Sequence, residues 1–407
     1  MSEKIKYQYS SKKEYSSINK KIVEKKRQLH EEKQNKTYYS VEIKYYKPYK
    51  MYYVDIPQEY LNNIKQLRKK KEDIFSHGKI LTFTEENEIL YFDAVIDSTE
   101  DRYAYLIPIK EKYRYSNKLE GNYNVCERIG DLTYYRMGDA IDEFLEGKCC
   151  SKEIENYILG NNISKKRRNL KNIFNYNKFY YSSIPNYAEL TRVQETQMRR
   201  IFFNEMNTIQ MNINADKKLI CLIIYAIHEM RKRSKDKILV CSSSNSVADS
   251  IALNLLKLKQ FDSKLNLLRI YAKNQEIIKR NKKLYEISFH KMMKKKYDIK
   301  FQDRQEKADW ILEDKDIIIS TCVNSYNDDI INYEFPFVII IDANNSNENE
   351  SLIPITLKAK HVVLISYQKK TENNNRNYNN DQDENEDNEL SLYERMVHLY
   401  PRIHCTI

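Results

Sequence analysis

Residues 316–322 read DIIISTC, residues 337–343 read FVIIIDA and residues 361–367 read HVVLISY. Each is a nearly continuous run of β-branched and aliphatic residues without alternation, the pattern of a strand buried on both faces. Upstream, KILVCSSS (237–244) and LNLLRIY (265–271) repeat it, and VADSIALNLLKL (247–258) between them has helical apolar spacing. Further helices are expected over 190–206 and 216–233. Buried-type strands alternating with helices predict an α/β fold with a mostly parallel sheet covered on both faces.

Working outward, the chain divides by pattern. Residues 1–38 are charged, with Ile18, Ile22 and Leu29 at near-helical spacing, and read as a stalk helix. Residues 39–77 read as a hairpin across a Lys-Pro turn followed by a second stalk helix. Residues 78–131 carry three short strands, KILTFTE, ILYFDAVID and YAYLIPI, and read as a small β-barrel. Residues 132–185 hold two short helices and a basic linker with Lys165, Lys166, Arg167 and Arg168. The sheet domain fills 186–407. It is expected to carry a basic helical insert at 275–310 and an Asn-rich acidic insert at 372–389 that reads as disordered.

Composition narrows the function. Lys and Arg number 69 against 58 Asp and Glu, a net charge of +11 that suits a polyanion partner such as RNA. All six glycines lie before residue 161. Their absence from 161–407 excludes a glycine-rich phosphate loop or dinucleotide fingerprint there, because such loops need glycine where the backbone approaches phosphate. Seven cysteines are scattered, only Cys149 and Cys150 are adjacent, and no spacing suggests a zinc site. No metal site is expected, and the thiols read as reduced, as in a cytoplasmic protein. MSEKIKYQYSSKKEY has no apolar core, and the longest apolar stretch, near Leu219–Ile227, is too short to span a bilayer, so no membrane partner is expected.

Several segments in colinear order resemble the superfamily 1 RNA helicases of nonsense-mediated mRNA decay, the up-frameshift helicases. LTRVQETQMRRIF (190–202) resembles the family's L-N-x-S-Q-x-x-A-V helix, and Gln194 matches its adenine-reading glutamine. ILVCSSSNSVADSIALNLL (238–256) resembles V-L-V-C-A-P-S-N-x-A-V-D; Ser244, Asn245 and Asp249 match there, in a motif that touches the nucleic-acid backbone. RIYAKNQE (269–276) is similar to R-L-x-A-K-S-R-E. ADWILEDKDIIISTCVNS, which contains Thr321, then FVIIIDA and LIPITLKAKHVVLIS follow the family's order, and LSLYERMV (390–397) resembles S-L-F-E-R-L. Upstream, TYYRMGDAIDEF resembles the F-D-R-M-x-x-A-L segment. The resemblance implies a RecA-like, P-loop NTPase-type three-layer αβα domain preceded by a small β-barrel on stalk helices. It also implies ATP and magnesium as cofactors, and RNA and decay-factor proteins as partners. Ser244, Asn245, Thr321 and the basic linker are the expected nucleic-acid contacts.

The same alignment shows what is missing. The family's phosphate loop, G-P-P-G-T-G-K-T, is matched by Met211, Asn212, Ile213, Asn214, Ala215, Asp216, Lys217 and Lys218. Every glycine is gone, Lys218 replaces the magnesium-binding Thr, and Asp216 would set a negative charge beside a phosphate. Asp342 keeps the Walker B position, but Ala343 replaces the Glu that acts on water. The family's G-D-x-x-Q-L is matched by Ser366, Tyr367, Gln368, Lys369 and Lys370. The chain also stops before the family's Q-Y-R-M-H motif and lacks its second RecA-like domain. Gln194, Lys217, Lys218 and Asp342 therefore read as a nucleotide-site remnant, with no catalytic residue expected intact and no cofactor expected bound. The favoured expectation is a degenerate helicase-family protein that binds RNA or decay partners without hydrolysis. The alternatives are one half of an active helicase and a protein-interaction scaffold.

Overall fold

The computed structural model describes residues 7–36, 39–48, 51–70, 73–75, 79–85, 91–109, 118–127, 132–161, 204–212, 227, 236–259, 265–272, 275–276, 281–295, 304–368 and 390–406. Lys165, Lys166, Arg167, Arg168, Gln194, Lys217, Lys218 and the 372–389 insert lie outside them, as does most of the 216–233 helix. The chain divides into two compact units: a sheet unit of residues 1–21, 136–271 and 282–407, and a barrel unit of residues 22–135 and 272–281.

In the barrel unit, six antiparallel strands close on themselves. They are β1 (Tyr39–Tyr46), β2 (Met51–Asp55), β3 (Ile80–Glu85), β4 (Tyr91–Glu100), β5 (Tyr103–Pro108) and β6 (Gly121–Glu127), in the order β1-β2-β5-β4-β3-β6. Alternation sends Val41, Ile43, Tyr52, Val54, Leu81, Phe83, Ala104, Leu106, Tyr123 and Val125 inward to one core. Closure leaves no strand edge unpaired. The barrel is therefore larger than residues 78–131. The 39–55 hairpin supplies two of its staves, β1 pairing with β6 and β2 with β5. Two helices of this part of the chain are α1 (Lys12–Lys36), which begins in the sheet unit, and α2 (Gln58–Lys70). On α2, the buried Tyr60 hydroxyl donates to Asp73 Oδ1 at 2.7 Å and accepts from the Ile74 N–H at 2.7 Å, fixing the chain that leaves the helix.

The sheet unit is built on seven strands, all paired in parallel: β7 (Met206–Asn212), β8 (Ile238–Ser242), β9 (Leu267–Arg269), β10 (Ile317–Thr321), β11 (Phe337–Ile341), β12 (His361–Gln368) and β13 (His404–Thr406). Their order is β13-β7-β12-β11-β8-β10-β9. Every residue of β8 and β11 is buried, as the unbroken apolar runs require. The helix expected to run through Met206 gives way there to β7. That strand is interrupted by Asn207 and Thr208, which hides it in the sequence, yet both are buried. Asn207 Nδ2 donates to the Asn204 carbonyl at 3.0 Å, and Thr208 Oγ1 lies 3.2 Å from His404 Nδ1 on β13. Polar side chains enter a buried strand when they are paired in this way.

The remaining helices are α3 (Leu132–Glu146), α4 (Lys152–Leu159), α5 (Asn245–Lys259), α6 (Lys282–Tyr285), α7 (Phe289–Lys294), α8 (Arg304–Glu313), α9 (Glu348–Ile355) and α10 (Leu392–Leu399). Reciprocal capping boxes start two of them, Asn347 with Glu350 on α9 and Ser391 with Glu394 on α10. Gly160 ends α4 at φ 80°, where a Cβ would come 2.9 Å from Gln8 Cγ. The most buried ion pair joins α9 and α10. Arg395 donates through Nε to Glu348 Oε2 at 2.7 Å and through Nη2 to Glu348 Oε1 at 2.6 Å. Its Nη1 reaches the Tyr7 carbonyl at 3.0 Å and its Nη2 the Ile158 carbonyl at 2.8 Å. One guanidinium thus ties the N-terminal segment, the end of α4, α9 and α10 together. Removing one partner strands the other charge in the interior, at a cost of about 3–5 kcal/mol, whereas apolar replacement of both is far milder. Arg395→Met is expected to lower the unfolding free energy by about 3–5 kcal/mol in urea titrations, and Glu348→Leu on that background to restore much of it.

Candidate functional site

Parallel pairing puts the C-terminal ends of neighbouring strands on one edge of the sheet, where open α/β sheets bind ligands. In register, Ile341 of β11 pairs with Ile365 of β12, and Gln368 of β12 with Asn212 of β7. Asp342 leaves β11 on the edge where Asn212 ends β7. The stretch matching the phosphate loop therefore departs from the sheet on the same edge as Asp342. Lys217 and Lys218 in that stretch are outside the described residues.

Asp342 sits at φ 62°, ψ 37°, a left-handed conformation that Asp tolerates better than most residues. Its carboxylate is held on both sides: Oδ2 accepts from Ser243 Oγ at 2.8 Å and Oδ1 from Asn345 Nδ2 at 2.6 Å. Ala343 follows at once, fully buried at the start of a short 3-10 turn over Ala343–Asn345. Where the resemblance calls for a carboxylate there is a methyl group in the core. Magnesium bound to a nucleotide asks for an octahedral set of oxygens including one or two carboxylates. Asp342 keeps lone pairs to spare, but Lys218 brings an ammonium where the resemblance calls for a hydroxyl ligand and Ala343 a methyl where it calls for a carboxylate; the set does not fit that demand, and no step through the ion follows from these residues.

Next to Asp342, two strand ends and a helix start bring hydroxyls together. Ser242 ends β8 opposite Thr321, the last residue of β10, and the Cys322 N–H donates to the Ser242 carbonyl at 3.0 Å. Ser244 begins α5: its Oγ accepts from the Val247 N–H at 3.4 Å and lies 3.0 Å from Ser246 Oγ. Asn245 and Asp249, on the first turns of α5, face an internal cation. Arg269, fully buried at the end of β9, donates from Nη2 to Asn245 Oδ1 at 2.8 Å and from Nε to Asp249 Oδ1 at 2.8 Å. Its Nη1 donates to the Ile270 carbonyl at 2.7 Å, and the guanidinium lies 4.0 Å from the Tyr271 ring centroid. Tyr271 also donates to Asp249 Oδ1 at 2.8 Å. The Asn245 carbonyl oxygen is thus committed inside the protein.

Among the expected nucleic-acid residues, the fold brings Ser244, Asn245 and Thr321 to one edge together with Asp342. Ser243, Arg269, Tyr271 and Arg136 were missed. Arg136 on α3 donates from Nη1 to the Val323 carbonyl at 3.1 Å and lies 3.4 Å from Asn324 Oδ1, fixing the turn after β10. Burial lowers its pKa from the ordinary arginine value. Arg269 left a signal, a lone charge inside the apolar run LNLLRIY, which calls for buried partners. Ser243 left none, because its role depends on a strand distant in sequence. The basic insert carries Lys282, Lys283, Lys291, Lys294 and Lys295 exposed on and after α6 and α7.

A family model described as an AAA domain matches residues 273–366 of the 407, a span holding β10, β11 and most of β12. The match supports a relationship to superfamily 1 helicases. No curated protein matches the chain. Lysine cannot reproduce the fork by which Arg269 holds Asn245 and Asp249. Arg269→Lys is expected to destabilise the protein by about 1–3 kcal/mol in denaturant titrations.

Proposed function

We propose that this chain is a RecA-like protein of the nonsense-mediated decay helicase type that binds single-stranded RNA without hydrolysing ATP. The observation that carries the proposal is the Asp342 carboxylate held by Ser243 and Asn345 and followed by buried Ala343. Phosphoryl transfer works by positioning charge around the transferring group. Losing one such stabilising donor typically lowers turnover by about 100- to 1,000-fold. Here the glutamate, the loop glycines and the loop threonine are all replaced.

RNA binding draws on different groups. The exposed Ser246 and the half-buried Ser244 and Thr321 offer hydroxyls to a backbone, and the lysines of α6 and α7 offer charge. A role in a cytoplasmic decay assembly, with other decay factors as partners, completes the proposal. Binding through lysines releases counterions, so affinity falls steeply as salt rises.

Two assays on the purified chain test this. A fluorescent single-stranded RNA is expected to bind in low salt and be released as salt is raised, with no RNA-stimulated phosphate release. A flat binding curve in low salt contradicts the RNA reading. Phosphate release abolished by Lys217→Ala contradicts the loss of catalysis.

A further inference from the structure

Side chains alternate along the barrel strands, so the residues between the core positions face outward. On β2 and β5 these are Tyr53, Tyr103 and Tyr105, and Tyr46 ends β1 on the same side. Register makes them neighbours. Tyr53 stands opposite Tyr105, and Tyr103 stands between Asp55 on β2 and Glu100 on β4. The Tyr53 ring lies 5.6 Å from that of Tyr103 at 85° and 6.3 Å from that of Tyr105 at 44°. Rings tilted in this way leave slots between them. Tyr46 is 41% exposed and the other three are half-buried. The inward Tyr52 and Tyr60 have engaged hydroxyls, accepting from the Leu119 N–H and donating to Asp73. Among the described residues, none makes a hydrogen bond to the hydroxyl of Tyr53, Tyr103 or Tyr105.

Charge around these rings runs against that of the chain. Four carboxylates, Glu42, Asp55, Glu100 and Asp101, stand against two cations, Lys44 and Arg102, on a protein of net charge +11. Both cations are already paired. Lys44 meets Glu42 at 2.8 Å, and Arg102 forks onto Asp55, its Nε donating to Oδ1 at 2.7 Å. Glu100 and Asp101 are exposed, and among the described residues neither meets a cation. Partial burial, and after it the charge of Glu100, raises the Tyr105 pKa above its ordinary value. The Arg102 guanidinium also lies 5.5 Å from the Tyr103 ring centroid. One arginine is thus held between a tyrosine ring and a carboxylate, and Glu100 stands beside the same ring without one.

We infer that this face of the barrel binds an arginine-bearing, proline-rich peptide in the polyproline II conformation. Strand addition is closed to a partner here, because every barrel strand is paired on both sides and offers no backbone edge. The partner is therefore read by side chains. A polyproline II segment makes no internal hydrogen bonds, so its carbonyls are open to the unpartnered tyrosine hydroxyls. Its pyrrolidine rings fill slots between aromatic rings, the mode in which such segments dock. Its arginines lie over the tyrosines and meet Glu100 and Asp101, repeating the arrangement Arg102 makes within the chain. Single-stranded nucleic acid also stacks on aromatic rings, but its platforms lie in positively charged grooves. This face carries the opposite charge. The inference is independent of the RNA reading of the sheet unit.

Fluorescence anisotropy of the full chain with a fluorescein-labelled peptide of repeated Arg-Pro-Pro tests the face. Saturable binding is expected, and none with repeated Glu-Pro-Pro. Tyr53→Ala combined with Tyr105→Ala is expected to weaken binding by at least about tenfold. Glu100→Lys, which leaves every ring in place, is expected to weaken it as well. An oligouridylate RNA is expected to bind the tyrosine variant and the unaltered chain alike. The inference is overturned if the Arg-Pro-Pro peptide shows no saturable binding, if the Glu-Pro-Pro peptide binds equally, or if Glu100→Lys leaves binding undiminished. Oligouridylate binding lost with the two tyrosines also overturns it, and makes the face a nucleic-acid platform.

Discussion

Burial of β8, β10 and β11 on both faces constrains everything else in the sheet unit. A strand with no solvent face has no polar side to show, so it must sit between neighbours in a covered sheet. Parallel register then collects the strand ends on one edge. Ser243, Thr321 and Asp342 are neighbours for that reason alone, although up to 99 residues of chain separate them. The site is a consequence of how the isoleucines pack.

The same interior is stitched by two arginines. Arg395 holds four segments through Glu348 and two carbonyls, and Arg269 holds the start of α5 through Asn245 and Asp249. Neither is a simple gain in stability, because a buried charge must recover a large desolvation cost. What each does is fix geometry, since a planar fork accepts few arrangements of its partners. Arg269 places Ser244 and the first turn of α5 beside Asp342. The start of α5 on this edge is therefore held by a residue that never meets solvent.

The apolar runs made β8, β10, β11 and β12 legible, because their pattern follows directly from double-sided burial. β7 was hidden by Asn207 and Thr208, whose partners Asn204 and His404 come from a loop and from β13. β6 was hidden by its outward Asn122 and Asn124, and the barrel boundary moved because β1 and β2 complete a core that the later strands cannot close alone. At the site, Asp342 and Ala343 could be named from the resemblance, but not that Ser243 and Asn345 hold the carboxylate. Such contacts lie between loops brought together by the sheet, and loops carry little local pattern.

The glycine-free stretch from 161 onward, the buried Ala343 and the Asp342 carboxylate held by Ser243 and Asn345 are the observations on which the proposed loss of catalysis rests. Equilibrium titration of the full chain with a fluorescent ATP analogue, with and without magnesium, tests this most directly. Magnesium is predicted to leave the binding curve unchanged, with Asp342→Asn indistinguishable from the unaltered chain. Binding tightened tenfold or more by magnesium, and lost in Asp342→Asn, would contradict it.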